Sequence, residues 1–475
     1  MEKKDKFTKE LFIEKLETPL KESYNVNFEI GRGAFSRVYE VTNKNTGEIR
    51  VCKYISKQNF KEEDFDKFRN EIQFLKELDH PNIVKLYQLI ETELSFYLIM
   101  EKCEGGSLSI KIQQRINTKK LFDEKLLSEL IREITSAINY CHGKGICHRD
   151  LKPENICFTK LGNMENNSIK IIDFGLSKYF KPKQKLETEV GSILYMAPEV
   201  FKNNYNEKCD IWSIGVILYF LIEGKPPFIG QNEGETKMKI GSMKYKFSSE
   251  LENYSEKGEV VKDLIAHMLI KEDERFTAQE VLNHRWIKEK EKNIPYNIED
   301  LLNQIKLYQK MDNFEKKIIS FIASRLNSDE VENLKNFFVY LDENNDGRIS
   351  KEEFEFGVRK VSTENIENIE IDKCFNNIDT NEDSNIEYNE FIASCINKGL
   401  YLDKNNLREI FDAIDKKKKG KISKEEIISV LELDLANLSN LEQFFNQLEK
   451  DEEGKIYFEQ FIKIISLLIA ETLKK

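Results

Sequence analysis

Four copies of one short pattern fill the last third of the chain. Each copy is a loop of twelve residues that begins with an acid, at Asp342, Asp379, Asp415 and Glu449. Each loop carries isoleucine at its eighth position, and amphipathic helical sequence lies on either side of it. A helix–loop–helix unit of this size cannot bury its apolar face alone. The repeat therefore predicts two pairs of such units in an all-α module.

The first loop, residues 342–353, places an oxygen donor at every position that a calcium loop uses. Ca²⁺ takes about six to eight oxygens, and such a loop supplies them from positions 1, 3, 5, 7, 9 and 12. Gly347 stands at the sixth position, where the backbone turns sharply. The predicted ligands are Asp342, Asn344, Asp346, Arg348 through its carbonyl, Ser350 and Glu353.

The second loop, residues 379–390, repeats this donor pattern with one departure. Ser384 replaces glycine at the turn, and because serine adopts positive φ reluctantly we expect strain and a lower affinity. Calcium binding is still predicted. The predicted ligands are Asp379, Asn381, Asp383, Asn385 through its carbonyl, Glu387 and Glu390.

The third and fourth loops depart further from the calcium pattern. Loop 415–426 has Lys417 and Lys419 at its third and fifth positions, where ammonium groups repel Ca²⁺. Loop 449–460 has Tyr457 at position nine and Gln460 where a bidentate glutamate is needed. We predict no calcium binding in the third loop and weak or no binding in the fourth. The interpretation we prefer is a paired scaffold that holds the second lobe together.

A second set of motifs lies in the first half of the chain. A glycine-rich turn, Gly31-Arg32-Gly33, lies between two strand-like segments, and glycines let a backbone approach phosphates closely. Such a turn is weak evidence alone, since it is common in hairpins, and Ser36 replaces the third glycine. Lys53 on the next strand can hold phosphate oxygens, and Glu71 on the following helix can pair with Lys53 and fix it.

Three further motifs follow in order, at His148-Arg149-Asp150-Leu151-Lys152-Pro153-Glu154-Asn155, Asp173-Phe174-Gly175 and Ala197-Pro198-Glu199. Asp150 offers a carboxylate for a substrate hydroxyl, and Lys152 offers a cation for a γ-phosphate. Asn155 and Asp173 offer oxygens for Mg²⁺. Any one motif could be an ordinary loop, but all of them in this order make coincidence negligible.

These motifs resemble those of the protein kinases over roughly residues 24–287. The resemblance implies an α+β fold in which a β-rich lobe and a helical lobe enclose ATP. It also implies a structural pair between Arg275 and Glu199, and Lys152 is typical of the serine/threonine subgroup. The residues implied to contact the nucleotide are Gly31, Arg32, Gly33, Ala34, Phe35, Ser36, Val38, Val51, Lys53, Met100, Glu101, Cys103 and Cys157.

Thr188 lies between Glu187 and Glu189 in the segment that precedes the Ala-Pro-Glu motif. Arg149 is of the type that anchors a phosphate in this segment. We hypothesise that the flanking glutamates partly replace a phosphate and make phosphorylation optional. The alternative, that Thr188 is a solvated loop residue, stays open.

The order of the parts resembles the calcium-dependent protein kinases of plants and protists, and Phe321-Ile322-Ala323-Ser324-Arg325-Leu326 is similar to that family's junction. The implied organisation is an N-terminal extension (1–23), a Ser/Thr kinase domain (24–287), an autoinhibitory junction helix (288–328) and a four-EF-hand calcium sensor (329–475). Calcium would open the first EF lobe, which would capture part of the junction. A calcium-responsive scaffold with a weak or constitutive kinase domain is the alternative.

The composition of the chain limits which kinds of partner it can bind. The net charge is −11, which argues against nucleic acid as a partner because phosphate binding needs a basic face. The eight cysteines form no C-x-x-C pair and are expected to be reduced. No signal peptide or transmembrane segment is predicted, so we expect a cytoplasmic protein, monomeric, with protein Ser/Thr substrates.

Overall fold

The computed structural model describes most of the chain. The described residues are 13–16, 19–33, 36–59, 62–118, 122–165, 167–181, 184–248, 255–288, 298–327, 330–361, 368–431, 433 and 439–472. No helix among them is long and apolar enough to cross a membrane.

The N-terminal lobe is built on a six-stranded sheet. The sheet has the strand order β1-β5-β6-β4-β3-β2 and packs its inner face against helix α2 (Glu62–Glu77). Its central strand β4 buries Arg50 and Cys52 on one face, and Ile49, Val51 and Lys53, which alternate with them, point to the other. The strands are β1 (Glu14–Leu16), β2 (Tyr24–Arg32), β3 (Ser36–Asn43), β4 (Ile49–Ser56), β5 (Leu86–Glu91) and β6 (Ser95–Met100).

The N-terminal extension contributes to this lobe. Strand β1 pairs in parallel with β5, with Glu14 opposite Gln88 and Leu16 opposite Ile90. Helix α1 (Leu20–Ser23) then places Leu20 on the outer face of the sheet, in a small apolar cluster with Val41. The described part of the extension therefore covers one edge and part of one face of the sheet.

The C-terminal lobe is organised around a buried helix, α5 (Cys209–Glu223). Nearly every side chain of α5 is buried, and Trp212 stacks on Phe228 with ring centroids 5.4 Å apart. The other helices are α3 (Leu108–Thr118), α4 (Glu124–Gly143), α6 (Glu233–Ser242), α7 (Ser255–Met268), α8 (Ala278–Asn283) and α9 (Arg285–Lys288). Its short strands are β7 (Gly106–Ser107), β8 (Ile146–Cys147), β9 (Ile156–Phe158), β10 (Ile169–Ile171) and β11 (Lys178–Tyr179).

The connector between the kinase lobes and the EF-hand module was expected to be one junction helix (288–328), but its described part, residues 298–327, forms two helices. These are α10 (Ile298–Gln309) and α11 (Asn313–Arg325). Asp312 causes the break, because its carboxylate accepts the N–H of Glu315 while the Glu315 side chain accepts the N–H of Asp312. This capping box begins a new helix and fixes the angle at which the chain enters it.

The last part of the chain forms two EF-hand pairs. In each pair a two-residue strand from one loop pairs antiparallel with one from the other, with Ile349 opposite Ile386 and Ile422 opposite Ile456. The helices are α12 (Glu332–Leu341), α13 (Lys351–Val361), α14 (Asn368–Ile378), α15 (Tyr388–Cys395), α16 (Lys398–Tyr401), α17 (Lys404–Ile414), α18 (Lys424–Val430), α19 (Ser439–Asn446) and α20 (Phe458–Thr472). The strands are β12 (Ile349–Ser350), β13 (Asn385–Ile386), β14 (Lys421–Ile422) and β15 (Ile456–Tyr457).

The connector helices share one apolar core with both EF-hand pairs. Helix α10 packs on α14 and α15, and α11 packs on α15, α17 and α20. Buried residues of α11 in this core include Phe314, Ile318 and Phe321. The predicted α+β class, a bilobal kinase fold followed by an all-α EF-hand module, is confirmed.

Candidate functional site

A half-buried lysine joins the two lobes at the cleft. Lys53 lies on β4, and its Nζ is 2.5 Å from Glu71 Oε1 on α2 and 3.1 Å from Asp173 Oδ1. Burial disfavours the ammonium form, but the two carboxylates outweigh this and hold the pKa of Lys53 above its usual value. The Lys53 charge correspondingly lowers the pKa of Asp173. The cleft therefore presents a fixed cation beside a carboxylate that stays ionised.

The catalytic loop forms a compact polar network around Asp150. Its Oδ2 lies 2.6 Å from Lys152 Nζ, and its Oδ1 accepts the N–H of Ser192 at 3.0 Å. Lys152 also donates to Ser192 Oγ at 3.0 Å. The Asn155 amide donates to the Asp150 carbonyl at 2.9 Å, which locks the loop between them. The structure thus brings together three of the polar groups that the motifs assigned to phosphoryl transfer, Asp150, Lys152 and Asn155.

The Asp210 carboxylate holds this loop from below. It accepts the backbone N–H of His148 at 2.9 Å and that of Arg149 at 2.8 Å, while Arg149 has a φ of +68°. A non-glycine residue in this region is strained, so the buried carboxylate stabilises the conformation that points Asp150 outward. None of the motifs named above points to this contact. A charged residue at the start of the most buried helix is the signal that could have found it.

The glycine-rich turn closes as a hairpin at the mouth of the cleft. The Gly33 N–H donates to the Ser36 carbonyl at 2.8 Å, and Val38 lies opposite Gly31 in the β2–β3 register. Arg32 turns back onto Glu29, with 2.8 Å between Nε and Oε1. Ala34 and Phe35 lie outside the described residues.

Further nucleotide-facing candidates lie where β4, β6 and β9 meet. Val51 pairs with Met100 across β4 and β6, and Cys157 lies on β9. The Glu101 carboxylate forms a buried ion pair with Lys170 at 3.0 Å, and its backbone N–H donates to the Lys85 carbonyl at 3.0 Å. Cys103 follows two residues later and is half-buried.

Ile30 is a residue that the sequence reasoning missed. It precedes Gly31 on β2 and is 47% exposed. An exposed aliphatic side chain beside the glycine-rich turn suits the flat face of a base. The apolar residue before the turn is the sequence signal that could have found it.

The activation segment is anchored by the arginine of the catalytic loop. Arg149 Nη1 donates to Thr188 Oγ1 at 2.7 Å, and the Tyr205 hydroxyl donates to the Thr188 carbonyl at 2.8 Å. Glu189 forms an ion pair with Lys237 at 2.8 Å instead of approaching Arg149. Thr188 itself therefore occupies the arginine, and Glu189 does not stand in for a phosphate there.

The segment ends in the pair that the resemblance implied. Arg275 is buried and binds Glu199 through two contacts, at 2.5 Å and 3.1 Å. It also lies over the Trp212 ring, 5.0 Å from the centroid. Such a bidentate pair tethers the end of the segment to the lobe core.

The first EF-hand loop has the conformation of a cation-binding loop. Asp342 accepts the N–H groups of Asp346 and Gly347 at 3.0 Å each, and Gly347 has a φ of +79°. The Glu353 carboxylate reaches back to Ser350, whose hydroxyl donates to it at 2.7 Å. The carboxylates of the first and last positions therefore both face the loop interior, and their oxygens fit Ca²⁺.

The second loop repeats this geometry with the strain that its serine predicts. Ser384 has a φ of +68°, and its N–H donates to Asp379 Oδ2 at 3.0 Å. Burial among other carboxylates raises the pKa of Glu390 to about 8. A buried acid cluster of this kind is stabilised by a divalent cation, so this donor set also fits Ca²⁺.

In the third loop the two lysines point outward. Lys417 and Lys419 are both exposed, while Asp415 accepts the N–H groups of Lys419 and Gly420 at 2.9 Å and 2.6 Å. In the fourth loop the Gln460 side chain accepts the N–H of Tyr457 at 3.1 Å. Both loops keep an EF-hand shape through internal hydrogen bonds.

The kinase lobes grip the first calcium loop directly. A Cβ on Gly347 would lie 2.7 Å from the His80 ring and 2.8 Å from the Tyr140 ring, so this glycine is also a docking residue. Gln279 donates to the carbonyl of Asn344 at 2.8 Å. This interface was not predicted, because its kinase residues His80, Tyr140 and Gln279 belong to no motif.

The second calcium loop also contacts helix α4 of the kinase. Lys144, at the end of α4, forms an ion pair with Glu387 at 2.7 Å. Glu387 was predicted as a calcium ligand at position nine. The same carboxylate therefore also binds a kinase lysine.

The β-rich lobe binds the opposite side of the EF-hand module. Arg50 on β4 donates to Glu409 of α17 at 2.9 Å and lies over the Tyr87 ring. Lys85 donates to the carbonyl of Leu326 at the end of α11, at 3.0 Å. Both cations are buried, so the connector and the third EF-hand are fixed to the lobe that carries Lys53.

The fold and the site together define a Ser/Thr protein kinase joined to two EF-hand pairs. Comparison with known protein families agrees. The protein kinase domain family matches residues 24–287, and the EF-hand domain pair matches residues 331–396 and 404–466.

Curated relatives match almost the whole chain. Calcium-dependent protein kinase 4 of Plasmodium berghei is 34% identical over 441 residues, covering 89% of this chain and 82% of the relative. The Plasmodium falciparum protein of the same name is 35% identical with the same coverage. Calcium-dependent protein kinase 3 of rice is 35% identical over 417 residues, covering 86% and 74%. The chain belongs to the calcium-dependent protein kinase family.

Proposed function

We propose that the chain is a calcium-activated kinase that transfers the γ-phosphate of ATP to serine or threonine hydroxyls of proteins. The observation that carries the proposal is the pairing of two complete sites in one chain. Lys53, Glu71 and Asp173 are joined in the cleft, and two loops with full oxygen donor sets are docked on the kinase lobes.

The residues of the cleft can divide the chemistry among them. Asp150 lies where it can accept the proton of the attacking hydroxyl, and Lys152 can balance the charge of the transferred phosphoryl group. Lys53, fixed by Glu71, positions the phosphates of ATP. Asp173 and Asn155 offer the hard oxygen donors that Mg²⁺ prefers, and Mg²⁺ bound there neutralises phosphate charge.

Residues 288–328 act as the autoinhibitory element at low calcium, and calcium releases this inhibition. In the arrangement described above, α10 and α11 are packed into the EF-hand core. The described polar contacts between the EF-hand module and the kinase lobes involve residues such as Arg50, Asp79, Lys85, Lys144 and Gln279, rather than residues 148–155. These contacts leave the catalytic loop free of the EF-hand module, as the active state of the proposed switch requires.

The protein acts in the cytoplasm as a monomer, on protein substrates and without nucleic acid. All eight cysteines are free thiols, which is usual in a reducing compartment.

The test is phosphate transfer from Mg·ATP to a basic serine peptide, first with EGTA and then with micromolar free Ca²⁺. Activity only with calcium is expected, and the Asp150→Asn variant should be inactive in both conditions. Equal activity with and without calcium would remove the switch and keep the kinase. An inactive wild-type chain would favour the scaffold alternative.

A further inference from the structure

In the second EF-hand pair, a lysine side chain of the third loop lies beside the acids of the fourth loop. Lys421 is the seventh residue of loop 415–426 and lies on β14, opposite Tyr457 of β15. This pairing brings its side chain across to the acids of the other loop. Lys421 Nζ lies 2.7 Å from Asp451 Oδ2 and 3.2 Å from Glu453 Oε2.

Asp451 and Glu453 stand at positions three and five of loop 449–460, where a calcium loop holds its cation. Lys455 adds a second ammonium, 3.2 Å from Glu453. Hydrogen bonds from Lys421 lower the pKa of both acids, so both stay ionised and paired. The charges of Asp451 and Glu453 are therefore balanced by two lysines of the same EF-hand pair.

This network also shapes the fourth loop. While Asp451 Oδ2 binds Lys421, its Oδ1 accepts the N–H groups of Glu453 at 3.0 Å and Lys455 at 2.8 Å. The Lys421 and Asp451 side chains are 21% and 14% exposed, so the pair is partly shielded from water. A shielded network of several charges is worth more than an isolated surface pair.

The second EF-hand pair packs against the first half of connector helix α11. Phe314 and Ile318 of α11 line a small apolar gap together with Tyr401, Ile465 and Leu468. Each of these side chains is buried. This contact depends on the position of α20, which begins directly after β15. The position of α20 therefore depends on the loop conformation that Lys421 maintains.

We propose that the Lys421 ammonium takes the place of a calcium ion in the second EF-hand pair, which therefore grips α11 at every calcium concentration. The first pair alone responds to calcium. This inference rests on the proposed calcium activation, and it predicts a Hill coefficient no greater than two because only two sites can couple.

The experiment is hydrogen exchange of the full chain, followed by mass spectrometry, in EGTA and in calcium. Exchange across α20 should be the same in both conditions within about twofold, while α15 should gain protection with calcium. Lys421→Met keeps the stem of the side chain and removes the charge. It should speed exchange across α20 about three- to tenfold in both conditions.

Lys424→Met is the matched control, because Lys424 pairs with Glu442 at 3.0 Å in the same lobe but does not reach the fourth loop. This variant should exchange like the wild type. The conservative variant Lys421→Arg keeps the charge and leaves Asp451 in place, so it should exchange like the wild type, which guards against a simple folding defect in Lys421→Met.

Calorimetric calcium titration of Glu353→Gln/Glu390→Gln completes the test, since the first pair is disabled there. No calcium binding is expected. Calcium binding in this variant, or α20 exchange in Lys421→Met that equals the control, overturns the inference. Failure of the proposed function would instead show as wild-type phosphorylation that calcium does not change.

Discussion

The Asp79 carboxylate accepts the backbone N–H of Asn389 at 2.7 Å, and both residues are buried. Asp79 lies in the turn that follows α2, the helix that carries Glu71. Asn389 lies in the first turn of α15, the helix that leaves the second calcium loop. A kinase carboxylate therefore caps the EF-hand helix that leaves the second calcium loop, and it lies just after the helix that fixes Lys53.

Replacing Asp79 by Ala should weaken this link. A hydrogen bond to a charged group contributes about 2 kcal/mol, and the buried N–H of Asn389 would lose its partner. We expect the calcium concentration for half-maximal peptide phosphorylation to rise about tenfold or more. Asp79→Asn keeps an acceptor and should lie between the two. An unchanged calcium dependence in Asp79→Ala would show that the contact does not carry the coupling.

Removing the last-position acids of the first two loops should abolish the calcium response. Glu353 and Glu390 supply the bidentate ligand, and glutamine offers one neutral oxygen in place of two charged ones. The double variant Glu353→Gln/Glu390→Gln should keep its activity at the EGTA level at all calcium concentrations. Glu426→Gln, in the third loop, is the matched control and should respond like the wild type. A wild-type response in the double variant would contradict the ligand assignment.

Thr188→Ala tests whether the activation segment needs phosphorylation. Arg149 binds Thr188 Oγ1 and also donates to the Tyr205 hydroxyl at 3.2 Å, so the unmodified segment already has an anchor. We expect calcium-stimulated activity to fall less than about tenfold, since one hydrogen bond of about 1 kcal/mol is lost. Complete loss of activity, measured with the same peptide, would show that phosphorylation is required.

The sequence predicts the two folds well because each is specified by local patterns. Loop spacing and the isoleucine at position eight place the EF-hand pairs, and the ordered motifs place Asp150 and Asp173 in one cleft. The break at Asp312 could also have been read, since an acid three residues before Glu315 is a capping box.

The interface between the two halves could not be predicted in this way. It joins residues far apart in the chain, such as Arg50 with Glu409 and Lys144 with Glu387. Their pairing depends on how two rigid bodies dock, and neither periodicity nor spacing encodes that relationship. The ion pairs of Lys421 could not be predicted for the same reason, because its partners lie in the neighbouring loop.

Gly347→Ala should separate loop geometry from docking. Gly347 and Gly420 both stand at position six, with φ of +79° and +71°, so alanine brings similar backbone strain to each. At Gly347 the new methyl would lie 2.7 Å from the His80 ring, whereas at Gly420 nothing lies within 4 Å. We expect Gly347→Ala to raise the calcium needed for half-maximal activity at least about tenfold and Gly420→Ala to change it little. Equal effects would assign the whole cost to strain.

The ring of His80 should make docking of the first calcium loop sensitive to acid. Its Nδ1 accepts the N–H of Asn82 at 3.0 Å, so Nε2 carries the proton and donates to Ser136 Oγ at 3.2 Å. Burial, followed by the charges of Lys335 and Lys170, lowers the pKa of His80 well below its usual value. The docked state therefore binds fewer protons than a state in which His80 is solvated, and protonation favours release.

This difference in bound protons means that the stability of the docked state falls as the pH falls. Above the solvated pKa of about 6.5 the docked state has its full stability, and below it each pH unit removes about 1.4 kcal/mol until the docked pKa is reached. Between pH 7.5 and 5.5 the protection of residues 342–353 against hydrogen exchange, corrected for the intrinsic rate, should fall about tenfold. His80→Asn keeps an acceptor for the Asn82 N–H and does not titrate, so its protection should fall much less. If both proteins lose protection equally, other groups control the acid response and His80 does not.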